Sequence, residues 1–170
     1  MSTEQWYATS SLALELCSIA SIVCAIMLLT KSKFLFDVFY FIAIGGAIQA
    51  ILTPELLFGF PQYRYMQFFL DHTLLILAPI IMIGLYRFRP TFSAVIKSFV
   101  SLNVIAAIVY LVNRLIGANY MFLMHKPTTP SIIDYLGSYP YYILSLEVVA
   151  FIIFVILYIP FAGKPKYGLK

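Results

Sequence analysis

Ionisable and polar side chains are scarce inside the apolar stretches of this chain, and most of them sit near one end of their stretch. Glu15 and Cys17 come early in the first run and Gln49 late in the second; Gln67, Asp71 and His72 open the third. Asn113 and Arg114 close the fourth, and Glu147 lies about two turns into the fifth. In a chain that runs up and down, that alternation gathers carboxylates, a thiol, an imidazole and a guanidinium at one depth. An ionisable group in lipid costs about 2.5–3.5 kcal/mol even on the lenient insertion scale, so such a layer normally faces protein or a wet cavity. Proton movement, solute binding, ion pairing between helices and group transfer all use these residue types.

The elements that must position this layer are five apolar runs, 12–29, 34–52, 66–85, 94–116 and 141–161. Each has roughly the length a helix needs to cross a ~30 Å hydrocarbon layer. The chain is 62% hydrophobic and 11% charged, whereas a soluble domain carries about a quarter charged residues. Too little polar surface is present to cover a core in water. The expected fold is all-α, a polytopic transmembrane bundle of five spans in a single domain, 1–170. Membrane lipids are the expected partners. Net charge is +4, but the basic residues lie at span ends and form no stripe to follow a phosphate backbone, which excludes nucleic acid.

Helical phase sorts the polar residues. Gln67 and Asp71 share a face, and His72 points ~100° away from Asp71. Asn103, Tyr110 and Arg114 fall on one stripe of the fourth run. Glu15 and Cys17 are ~200° apart on a helix, so both cannot point into one cavity. Arg114 reads either as an end-of-span side chain snorkelling to the headgroups or as a counter-ion for Glu147 or Asp71, or a clamp on a lipid phosphate. Glu147 reads as a paired carboxylate that sets helix register. Lys126, in the long aromatic and proline-rich connection 117–140, is a solvated loop charge or the neutraliser of an anionic substrate. Cys17 and Cys24 are about 10 Å apart along the axis, too far to bridge. His72 and His125 are the only imidazoles and have no close ligand pair, so the sequence calls for no metal and no cofactor.

Certain phrases resemble a known family when taken together. They are Leu16-Cys17-Ser18-Ile19-Ala20, the segment from Gly46 to Pro54, His72, Arg87-Phe88-Arg89-Pro90, and the stretch from Gly117 through Lys126-Pro127 to Leu136-Gly137 and Tyr141-Tyr142-Ile143-Leu144. Over nearly the whole chain they resemble the YwaF-like bacterial integral membrane proteins. That family is in turn similar to vertebrate transmembrane lipid acyltransferases and androgen-induced membrane hydrolases, which pair a thiol or hydroxyl nucleophile with a histidine. The resemblance implies Cys17 as nucleophile and His72 as base, with Glu147 or Asn113 as orienter. It also implies Arg114 or Lys126 on a lipid phosphate, Asn113, Glu147 and Gln49 near the substrate, the loop 117–140 as a cover, and a bacterial cytoplasmic membrane. Where family members have histidine two residues before the cysteine, this chain has Glu15. Members also carry a further span before the Leu-Cys-Ser segment. Two other functions use the same polar layer: a small-solute or proton carrier, and a non-catalytic subunit or lipid-binding scaffold held by interhelical bonds.

With alternate connections placed on opposite sides, one side receives Lys31, Lys33, Arg87, Arg89, Lys97, Lys164, Lys166 and Lys170, and the other receives Arg64, Arg114 and Lys126. That split of 8 to 3 assigns the first side to the cytoplasm. The N-terminus is then outside and the C-terminus inside. Residues 1–11 contain Glu4 and no Lys or Arg, so the first run reads as a retained span rather than a cleaved leader. A reporter fused after Lys170 should read cytoplasmic; an extracytoplasmic signal reverses the assignment.

Overall fold

The computed structural model describes residues 9, 12–54, 56, 59–127 and 131–163. Glu4, Glu55, Lys164, Lys166 and Lys170 lie outside them. Among the described residues all regular structure is helical: α1 (Leu16–Thr30), α2 (Lys33–Leu52), α3 (Tyr63–Tyr86), α4 (Phe92–Ile116) and α5 (Tyr141–Tyr158). Short 3-10 turns lie at Tyr120–Phe122, Ile132–Leu136 and Ile159–Phe161. Cap chemistry sets several of these ends. Ser32 Oγ accepts from the Leu35 N–H before α2, and Thr91 Oγ1 accepts from the Ala94 N–H before α4. Gly117 takes φ 69 at the end of α4, which lets the Ala118 N–H return to the Asn113 carbonyl.

Four helices, α2 to α5 with its extension to Phe161, are long and apolar enough to cross a membrane. The first run departs from the expected span over 12–29. Glu15 is extended at the N-cap of α1, and the helix covers only the 15 residues Leu16–Thr30. At ~1.5 Å per residue that is about 22 Å, short of a ~30 Å hydrocarbon layer.

The bundle is organised around α2. This helix is apolar around its whole circumference, and Phe36 through Gly45 are buried without a break. It packs against all four other helices. Of its most apolar stretch 61% is buried, against 11% for the last helix, which therefore gives most of its surface to lipid. At the α1–α2 turn end, Asp37 is paired with Lys33 one turn earlier and with Lys97 of α4 at 3.5 Å. Ser98 Oγ donates to the Asp37 carbonyl at 3.0 Å. Asp37 and Lys97 thus answer each other across α2 and α4.

Gly45 marks a close approach of α2 to α5, because a Cβ there would stand 3.1 Å from Ile153 Cγ2. Gly45→Leu should overpack this crossing and cost about 1–3 kcal/mol. A thermal unfolding midpoint in detergent should fall for this variant and hold for Gly46→Ala, where the nearest atom is 3.9 Å away. Equal midpoints would refute the close crossing.

Candidate active site

Cys17 is the second residue of α1, and His72 is the tenth of α3. The two helices pack side by side, and His72 Nε2 lies 3.1 Å from Cys17 Sγ. His72 Nδ1 lies 2.7 Å from the carbonyl of Phe68, one turn earlier on α3. A carbonyl only accepts, so Nδ1 carries the hydrogen of the neutral ring and Nε2 presents its lone pair to the thiol. The imidazole also stacks on Phe68 at a ring separation of 4.2 Å. It is buried at 6% exposure, while Cys17 is half-buried. A fixed imidazole therefore faces a partly exposed thiol. The orienter is a main-chain carbonyl, not the side chain of Glu147 or Asn113 expected from the sequence.

The start of α1 is recessed. Matching the second residue of α1 to the tenth of α3 puts it about 12 Å further along the bundle than the start of α3. The space is filled by residues 12–15 and 118–123. Leu12, Leu14 and Ile19 pack with Val109, Ala118, Tyr120 and Leu123. The Leu12 N–H donates to Tyr120 Oη at 2.9 Å, and Glu15 Oε2 accepts from the Met121 N–H at 3.1 Å. Asn113 is buried and holds Tyr120 by both main-chain groups: Nδ2 donates to its carbonyl at 2.9 Å, and Oδ1 accepts from its N–H at 3.0 Å. Tyr142 donates its hydroxyl to the Phe122 carbonyl. These bonds hold Met121 and Phe122 at positive φ, a strained setting for side-chain-bearing residues. Because Glu15 is extended and makes no side-chain cap to α1, the first-turn N–H groups of α1 receive nothing from it.

The TMEM164 family profile matches residues 1–158. The chain belongs to the TMEM164 family, a family of transmembrane proteins. No curated protein and no solved structure matches it.

The remaining expected site residues of this TMEM164-family chain take separate places. Glu147 Oε2 accepts from Asn103 Nδ2 at 2.8 Å, a bond between α5 and α4, so its partner is Asn103 rather than Arg114. Asn103, Tyr110 and Arg114 do share a face of α4, and it is the exposed one. Gln49 Nε2 donates to Thr53 Oγ1 at 3.0 Å at the end of α2. Lys126 lies 4.0 Å from Asp134 Oδ1 and over the Tyr142 ring. Asp71 is exposed and diverges from the buried His72, as helical phase requires. Tyr120 and Phe68 are positioning groups that sequence reasoning passed over, and Glu15, singled out in the polar layer, bonds the Met121 main chain. Only the Asn113–Gly117 spacing at a helix end signalled such a fold-back.

Asn113→Ala should remove the bonds to both main-chain groups of Tyr120, leaving its carbonyl the Leu123 N–H at 3.5 Å, at a cost of about 1–3 kcal/mol. Hydrogen exchange at Tyr120 and Met121 should then speed up relative to α2. Unchanged protection would show that the fold-back stands without this side chain.

Proposed function

We propose that this chain is a membrane-embedded, thiol-dependent acyl-transfer or lipid-ester-cleaving enzyme, with Cys17 as nucleophile and His72 as general base. One observation carries the reading: Cys17 Sγ faces, at 3.1 Å, the proton-accepting nitrogen of an imidazole whose tautomer Phe68 holds. The resemblance to YwaF-like proteins and to vertebrate lipid acyltransferases supports the same pair of residues.

His72 Nε2 takes the Cys17 proton as Sγ attacks the carbonyl carbon of a lipid ester. Charge develops on the ester oxygen, and the start of α1, the positive end of that helix, stabilises it. The tetrahedral adduct collapses to a thioester on Cys17, and the proton on Nε2 passes to the departing lipid alkoxide. A hydroxyl or water then gives its proton to Nε2, attacks the thioester, and leaves with the acyl group as the proton returns to sulfur. Arg114 and Lys126, the cations near the end of α4 and in the following loop, are proposed to attract the lipid phosphate. On the basic-residue assignment the site opens toward the extracytoplasmic leaflet of a cell membrane.

The reading of the polar groups as interhelical glue accounts for Glu147–Asn103 and for Asn113. It supplies no reason for a half-buried thiol to face a tautomer-fixed base. Purified protein in phospholipid nanodiscs should acylate Cys17 from an activated acyl ester. Cys17→Ala should abolish this, and His72→Gln should slow it by about 10²–10⁴-fold. Undiminished acylation in either variant would remove that residue from the mechanism.

A further inference from the structure

Asn103 and Glu147 meet across the seam of α4 and α5, whereas the Cys17–His72 pair lies on α1 and α3. Asn103 is exposed and Glu147 half-buried. Both hydrogens of the Asn103 amide are taken: Nδ2 donates to the Phe99 carbonyl at 3.0 Å and to Glu147 Oε2 at 2.8 Å. Asn103 Oδ1 and Glu147 Oε1 accept from none of the described residues. The pair therefore turns two acceptor oxygens and no hydrogen toward whatever covers this seam, and one of them belongs to a carboxylate. An acceptor-only site calls for a donor, and the carboxylate calls for a positive one.

Depth decides what can supply it. Asn103 lies between Phe92 and Ile116, the ends of α4, about 16 Å along the helix from one and 20 Å from the other. Lipid headgroups and soluble proteins do not reach the middle of a ~30 Å hydrocarbon layer, and lipid chains carry no donor. Two oxygens are too few for a bare calcium ion, which takes about six to eight. The cations of α4 itself stand elsewhere. Lys97, about 9 Å earlier on the helix, is held by Asp37 at 3.5 Å, and Arg114 is about 16 Å later. A second copy in the same orientation would bring the same two oxygens to the same level, so it answers neither need.

We propose that the α4–α5 seam docks a transmembrane helix of another protein, one that carries a lysine or arginine near its midpoint. The partner cation bonds Glu147 Oε1 and Asn103 Oδ1 and balances a carboxylate that hydrocarbon leaves uncompensated. Around the pair the seam has the surface such a helix packs on. Val100 and Val104 of α4 and Leu144 and Val148 of α5 stand within a turn of it and are exposed. Ala107, one turn further along α4, is exposed too and lets a second backbone come close. Packing then supplies the contact area, and the buried cation fixes depth and register. This surface is independent of the thiol chemistry, since neither Cys17 nor His72 takes part in it.

The test uses the full chain, donor-labelled after Lys170, in phosphatidylcholine vesicles with acceptor-labelled leucine–alanine helices of ~24 residues. One peptide has a single central lysine and the other a leucine at that position. Energy transfer should show the lysine peptide associating about tenfold more tightly with wild type than the leucine peptide does. Glu147→Gln keeps an acceptor for Asn103 but removes the charge, and the preference should fall to within about twofold. Equal association of the two peptides with wild type, or an unchanged preference in Glu147→Gln, overturns the proposal. A diazirine one turn from the lysine gives a readout that needs no variant. It should crosslink wild type at Val104 or Val148; labelling at Leu70 and Leu77 of α3 instead overturns the seam. Energy transfer between two labelled copies that Glu147→Gln abolishes would also overturn it, by giving the surface to a second copy.

Discussion

In a bilayer every main-chain N–H and C=O must find a partner within the protein, because the hydrocarbon offers none. α1 brings that constraint to a point. With only 15 helical residues and a start recessed beside the middle of α3, it presents an N-terminus and a non-helical approach below the level of the neighbouring helix ends. Non-helical backbone is tolerated at such depth only where protein covers it. The segment after α4 supplies that cover, bonding Leu12, Glu15 and Asn113 through Tyr120 and Met121. The same arrangement leaves Cys17 in a first helical turn whose cap residue is turned elsewhere. The arrangement that satisfies the backbone is thus also the one that sets the thiol beside the imidazole.

The polar groups divide by what they hold. Asp37 with Lys33 and Lys97, and Glu147 with Asn103, tie helices together across the bundle. Such pairs specify register more than they stabilise, since the separated partners would find others in the membrane. Asn113 holds a loop rather than a helix. The thiol and imidazole differ from all of these: one member is accessible, the other is buried and fixed from behind by a main-chain carbonyl. Preorganisation of that kind is costly to maintain by packing alone, and Phe68 provides it twice, through its carbonyl and its ring.

α2 makes this geometry possible. Its uninterrupted burial from Phe36 to Gly45 gives the other helices one common surface. Gly45 lets α5 close against it, and the α1–α3 contact is formed on the remaining side. Lipid then meets the exposed faces of α1, α3, α4 and α5.

The helical class, the four long spans and the membrane setting were legible in composition and run length, because hydrocarbon thickness and helix rise leave little freedom. The separation of Asp71 from His72 was legible too, from a 100° rotation per residue. The recess of α1 was not: an apolar run through Leu12 and Leu14 reads the same whether it continues a helix or packs as extended chain under a loop. The 3.1 Å approach of two groups 55 positions apart, and a base oriented by a main-chain carbonyl, leave no mark on residue type. Local pattern settles which stretches become helices, since burial and hydrogen bonding within a span are decided residue by residue. Which helix faces lie together, and how far one helix sinks against another, depends on packing across the whole bundle. The resemblance named Cys17 and His72 together, and only that packing sets them 3.1 Å apart.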